Sequence, residues 1–242
     1  MTNLKKEWPD MGMMKALELL KPISLRKPVM LDIGAHRGES LKIFSENWTG
    51  PFKYIGLEPN PDAFEDLELI AKSIQTKDWD ISCLPMAAGA KDGNLRYRLT
   101  QESAVAGVLE PIEELNERVP AGDHKITKEF MVKTLCIPSM LERQSIEKID
   151  ILKVDTEGYD LEVLKGGIDL LKGHSIGVVL TEVFFVPYRV NQAFFWDIAS
   201  FMQEQGYHFV NLYDTRNTSQ GRLYTGNGLW VSPKIAQAND FL

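Results

Sequence analysis

Four short runs in this chain carry residue types that bind or transform small molecules. The first is Val29-Met30-Leu31-Asp32-Ile33-Gly34-Ala35-His36-Arg37-Gly38. An apolar run ends in an acid, two glycines bracket a tight turn, and Glu39–Phe44 reads as a helix start. Strand, glycine turn and helix let a cofactor approach the backbone at the edge of a parallel sheet. The acid narrows the choice of cofactor. A carboxylate at Asp32 would repel a dinucleotide's pyrophosphate and attract an ammonium group. The turn is also G-x-x-x-G rather than G-x-G-x-x-G. Both features point to S-adenosylmethionine, whose methionyl end carries an ammonium, and away from NAD.

The second run is Glu58-Pro59-Asn60-Pro61, about 20 residues after Gly38, where a carboxylate can accept hydrogen bonds from both ribose hydroxyls. Asn60 suits the cap of a helix that begins at Pro61. The third is Asp155-Thr156-Glu157-Gly158-Tyr159-Asp160. If the backbone stays extended there, Asp155 and Glu157 project to one side and can hold an ammonium, orient a hydroxyl or share a proton. Their alternative use is to cap the next helix. The fourth is Thr181-Glu182, an acid at the end of an apolar run, fitted to substrate binding or proton acceptance. His36 lies inside the glycine turn, where it either touches the ligand or serves the helix start. No His or Cys pattern supports a metal site, so none is expected. Asp155, Glu157 and Glu182 offer oxygen to magnesium as a lesser alternative.

These residues need strands to deliver them. Apolar runs predict strands at Val29–Ile33, Tyr54–Leu57, Ile81–Met86, Ile149–Val154 and Ile176–Leu180. Helices are predicted at Pro61–Ser73, Asp160–Leu171 and Phe194–Gln205, the last closed by Gly206. His208–Tyr213 and Gly228–Ser232 read as a final hairpin. The alternation implies an α/β fold, a Rossmann-like, doubly wound, mostly parallel sheet with an antiparallel C-terminal edge strand. Ligands in such sheets lie outside the carboxyl ends of the strands, and four of the five strand ends examined (Asp32, Glu58, Asp155 and Glu182, with Ala87 the exception) carry an acid. Residues 1–28 read as a helical lead-in around Met11–Leu20. Residues 29–242 form the main domain, interrupted at about 91–137 by a hairpin and loop over the ligand edge.

Composition bounds the rest. The chain has 242 residues, 44% hydrophobic and 25% charged, enough for one packed domain. A net charge of −7 disfavours nucleic-acid binding, which needs a basic face. Cys83 and Cys136 have no CxxC neighbour and read as buried thiols. No basic-then-apolar leader is seen, and no apolar run approaches the roughly 20 residues of a membrane helix. A cytoplasmic protein without membrane contact is expected; oligomeric state is unreadable.

The runs Asp32–Gly38, Glu58–Pro61, Ala87-Ala88-Gly89-Ala90-Lys91-Asp92-Gly93 and Lys153–Gly166 together resemble the FkbM-type methyltransferases of the class I superfamily, in order and in spacing, over roughly residues 29–185. The resemblance implies a Rossmann-like sheet, S-adenosylmethionine as donor, and O-methylation of a hydroxyl on a sugar or secondary metabolite. Under it, Asp32, Gly34 and Gly38 match the methionine-binding turn, Glu58 the ribose acid, and Asp155 with Glu157 the acidic signature near the transferred methyl. His36 stands where the family usually has Asn. Ala35 and His36 in the turn, Pro59 beside Glu58, Ala87 and Asp155 complete the candidate cofactor contacts. An alcohol is a weak nucleophile, so a base should take its proton; the candidates in order are Glu157, Asp155, His36 and Glu182. The alternative is a non-catalytic module of the same fold that binds the cofactor or a partner. Phe184, Phe185, Tyr188, Phe194, Phe195 and Trp196 either stack on a flat acceptor or pack the core and a subunit contact.

Overall fold

In the computed structural model, residues 10–23, 27–112 and 124–241 are described. The main sheet has seven strands. Five are β1 (Val29–Ile33), β2 (Phe52–Leu57), β3 (Trp79–Leu84), β7 (Ile149–Val154) and β8 (Ile176–Phe184). The other two are β9 (His208–Asn217) and β10 (Leu223–Val231), and the spatial order is β3-β2-β1-β7-β8-β10-β9. The first five run parallel. β10 is antiparallel to both of its neighbours. The C-terminal hairpin therefore turns back into the sheet: the antiparallel strand pairs with β8, and β9 takes the outer edge.

The strand order reverses beside β1, with β2 on one side and β7 on the other. That is the switch point where helices leave opposite faces and a crevice opens at the strand ends. Alternating side chains of the central strands feed two cores. On one face, Leu31, Ile33, Leu152 and Val179 meet α4 (Ile137–Gln144), α5 (Asp160–Lys165), α6 (Ile168–Lys172) and α7 (Phe195–Glu204). On the other, Met30, Ile151 and Leu180 meet α1 (Met11–Leu20), α2 (Glu39–Asn47), α3 (Pro61–Ile74) and α8 (Pro233–Ala238). Full burial on both faces explains why β1, β7 and β8 read as near-continuous apolar runs.

The inserted region builds a second, three-stranded sheet from β4 (Ala87–Ala88), β5 (Gly93–Thr100) and β6 (Ile126–Leu135), in the order β4-β6-β5. Residues 113–123 lie outside the described residues, as do 1–9 of the lead-in. The predicted helix over Asp160–Leu171 is two helices, broken at Gly166-Gly167. The cause is close packing: a Cβ on Gly166 would lie 2.3 Å from the Gly89 carbonyl oxygen. The strand expected over Ile176–Leu180 continues to Phe184, so Glu182 lies within the strand rather than just past it. Among the described residues, no helix is long and apolar enough to cross a membrane.

Candidate active site

The glycine turn is held from below. The Gly34 and Ala35 N–H groups both donate to the Leu57 carbonyl at 3.0 Å, and Gly38 N–H donates to Ala35. Gly34 and Gly38 have φ of +82° and +89°, the left-handed region that favours glycine. His36 adopts φ +45° between them. Its N–H donates to Glu58 Oε2 at 2.9 Å. Its ring is engaged on both sides, Nδ1 with Glu39 Oε1 at 3.1 Å and Nε2 with Ser103 Oγ at 3.2 Å.

Glu58 receives a second backbone donor, Asn60 N–H on Oε1 at 2.7 Å. Asn60 in turn caps α3, its side chain accepting from Asp62 N–H. Each Glu58 oxygen thus keeps a free lone pair while its orientation is fixed, which fits a ribose diol. Burial pushes its pKa up to about 7, against the opposing pull of the Asn60 and His36 N–H groups. Pro59 is half-buried beside it. Ala87 is buried under the inserted hairpin with Tyr97, Ala106 and Val132.

Asp32 is fully buried. Its Oδ2 accepts from the Tyr54 hydroxyl at 2.7 Å and its Oδ1 lies 3.7 Å from Lys153 Nζ. Burial raises its pKa while Lys153 and Tyr54 oppose the rise. Lys153 also holds Asp155 Oδ2 at 3.1 Å. The Asp155 side chain is 35% exposed at the rim, so it, rather than Asp32, presents a carboxylate to the crevice.

After Asp155 the backbone does not stay extended. Glu157 and Gly158 take φ of +56° and +91°. Asp160 stabilises this loop, accepting from the Gly158 N–H at 3.1 Å, the Thr156 N–H at 3.4 Å and the Thr181 hydroxyl at 3.1 Å. Burial pushes the Asp160 pKa up to about 7. The turn still brings the acids together: carboxylate oxygens of Asp155, Glu157 and Glu182 all lie within 4.8 Å of one another. Their roles differ. Glu157 is paired with the buried Arg189 guanidinium at 3.1 Å. Glu182 Oε1 accepts from the Thr225 hydroxyl at 3.2 Å, whereas its buried Oε2 has no hydrogen-bond partner. Burial raises the Glu182 pKa well above the ordinary range, and Asp155, Glu157 and Asp160 add to the rise. Burial also raises that of Glu157, outweighing Arg189.

The insertion covers this edge. Ser103 meets the His36 ring, the Arg189 guanidinium donates to the Val105 carbonyl, and Pro111 bridges Arg189. A Cβ on Gly107 would touch Glu157. Next to Gly158 lies a cavity of about 400 Å³, lined in part by Tyr159, Lys165, Asn191, Gln192 and Asp197. The aromatic group divides. Phe184, Tyr188 and Tyr224 form a buried cluster. Phe185 and Phe195 stack on each other half-buried against the main core, with the exposed Trp196 and Phe209 meeting them edge-on.

The structure therefore brings Asp155, Glu157 and Glu182 to one point. It places Gly34, Ala35, His36, Gly38, Glu58 and Pro59 along the neighbouring turn. Sequence reasoning assigns no role to Lys153, although it heads the Lys153–Gly166 run, nor to Tyr54 or Arg189. The first has a readable signal, a charge between the apolar Leu152 and Val154 at the inner end of β7. Arg189 has none, because a loop cation gains meaning only from its fold partners.

The methyltransferase FkbM domain model matches residues 32–209, most of the chain. The hexuronic acid methyltransferase AglP of Haloferax volcanii is 28% identical over 175 residues. That match covers 71% of this chain and 62% of AglP, so about three-fifths of the relative's length is represented. The crystal structure of methyltransferase FkbM from Methylobacillus flagellatus KT shares the fold with a TM-score of 0.54 and 16% identity, over 85% of this chain and 44% of that one. The family model spans most of the chain; the chain belongs to the FkbM methyltransferase family, and S-adenosylmethionine is its cofactor.

Proposed function

We propose that this protein O-methylates a hydroxyl of a sugar or sugar-bearing secondary metabolite. The observation that carries the reading is Glu182 Oε2, a buried carboxylate oxygen with no partner beside Asp155 and Glu157. A hydroxyl reaching Oε2 would meet an oxygen with no hydrogen-bond partner, and Glu182, in its ionised form, would hold the alcohol's proton more tightly than an ordinary carboxylate does. Of the four candidates, Glu157 is committed to Arg189 and both His36 ring nitrogens are engaged, which favours Glu182 as the proton acceptor. When bound, the cofactor supplies a methyl group on a positively charged sulfur. Glu58 would hold its ribose through the two hydroxyls, and the exposed side of Asp155 would face its cationic end. The surplus of acids at this edge suits a cationic ligand. The left-handed turn that Gly34 and Gly38 permit would present its backbone to the amino-acid tail, with Ala35 and His36 beside them and Ala87 and Pro59 flanking the nucleoside. The name of the AglP relative supports a sugar as acceptor class.

The test is a panel of glycosides and uronates incubated with isotopically labelled S-adenosylmethionine, with products read by mass spectrometry before and after mild alkali. A methyl ether, which survives alkali, is expected. Label found only as an alkali-labile methyl ester would place the transfer on a carboxylate and remove the hydroxyl reading. Cofactor binding without transfer to any acceptor would favour a non-catalytic module.

A further inference from the structure

Lys153 sits in β7 at a position that would ordinarily be apolar, with Ile151 before it on the same face. Its side chain is 8% exposed, and its ammonium lies 3.1 Å from Asp155 and 3.7 Å from Asp32. Burial alone would push its pKa down; Asp155, Asp32 and Asp10 outweigh that and hold it charged. Asp10 is the N-cap of α1, and Asp214 of β9 reaches the same helix start. Asp10 accepts from Met13 N–H, and Asp214 accepts from the Met11 and Gly12 N–H groups. Tyr54 of β2 closes the set on Asp32. One buried cation thus joins two parts of the site, the strand before the glycine turn and the acid at the rim.

Stability alone does not account for this arrangement. Burying an ion pair costs desolvation, and an apolar replacement of similar size is often neutral or stabilising. A methionine would fill this strand position. What an apolar residue would not do is grip Asp155. The backbone of Asp155 is already fixed, its N–H donating to the Ile33 carbonyl at 2.9 Å. Lys153 fixes its side chain by occupying Oδ2, which leaves Oδ1 as the oxygen available to the crevice.

We propose that Lys153 is a positioning residue for methyl transfer, its buried ammonium clasping Asp32 and Asp155 so that the Asp155 carboxylate is held ready for the cofactor. The proposal rests on the reading that Asp155 faces the cofactor. It predicts that Lys153 acts through Asp155 and has little effect on affinity without it.

The experiment is a double-mutant cycle. Calorimetry measures S-adenosylhomocysteine affinity for the wild type, Lys153→Met, Asp155→Asn and the double variant, with thermal melting recorded alongside. Each single change is expected to weaken binding about tenfold, and the double also about tenfold rather than about a hundredfold. Wild-type affinity in Lys153→Met, or additive losses in the double, would overturn the proposal. Loss in Lys153→Met with full affinity in Asp155→Asn would instead sink the placement of the cofactor at Asp155. If Lys153→Met does not fold, the comparison of the double with Asp155→Asn carries the test. Equal affinity supports the proposal and a further loss contradicts it.

Discussion

Gly34 and Asp155 are packed so closely that a Cβ on Gly34 would lie 1.8 Å from the Asp155 carbonyl oxygen. The glycine turn and the acidic run, far apart in sequence, are therefore one construction. The contact sets the distance between the cofactor turn and the acids that would act on the acceptor. Adding a methyl group at Gly34 would combine that overlap with a backbone at φ +82°. Gly34→Ala is expected to destabilise the fold by more than about 3 kcal/mol, read as a lowered urea midpoint. An unchanged midpoint would show that β1 and β7 can part freely.

Glu58 links function to pH. Its folded pKa is raised by burial from 4.5 to about 7, so the fold holds the proton more tightly than the unfolded chain does. Its contribution to stability is then fully present below pH 4.5 and lost as pH rises through about 7. Glu58→Gln carries no charge to bury and should flatten the pH dependence of stability between those values, although its NH2 group leaves one of the His36 and Asn60 N–H donors without an acceptor. The same variant should bind S-adenosylhomocysteine at least about tenfold more weakly, because an amide cannot accept from both ribose hydroxyls. A flattened pH dependence with intact affinity would remove Glu58 from the ribose site.

Arg189 neutralises Glu157 in a position closed to solvent. Truncating one member of a buried pair leaves the other charge uncompensated. Arg189→Met is expected to cost about 3 kcal/mol at pH 8, with part of the loss recovered at lower pH as Glu157 takes up a proton. Chemical denaturation at two pH values checks this; a pH-independent loss would assign Arg189 a packing role alone.

Glu182→Gln removes the proposed proton acceptor while keeping its shape. Turnover should fall about 10²–10⁴-fold, with S-adenosylhomocysteine affinity little changed. Full turnover in a variant that binds normally would transfer the role to Glu157 or Asp155.

Much of the architecture was legible because local chemistry and tertiary packing agree. Asn60-Pro61 predicts a capped helix, and Asn60 caps α3. The apolar run before Asp155 ends at Val154 as expected. Legibility failed where a distant segment decides. The break at Gly166-Gly167 depends on Gly89, and the length of β8 depends on pairing with β10. Helix α4 escaped notice because its start, Ile137-Pro138, follows directly on a strand. In the site, residue type and strand-end position were enough to single out Asp155, Glu157 and Glu182. The sequence could not divide their work. That division comes from Lys153 behind Asp155, Arg189 beside Glu157 and, among the described residues, no hydrogen-bond partner for Glu182 Oε2.

The most direct measurement is a crystal structure with S-adenosylhomocysteine bound. The account predicts both ribose hydroxyls within hydrogen-bond distance of Glu58, and the sulfur turned toward Asp155, Glu157 and Glu182. A ribose held elsewhere, or a sulfur facing away from those three carboxylates, would contradict it.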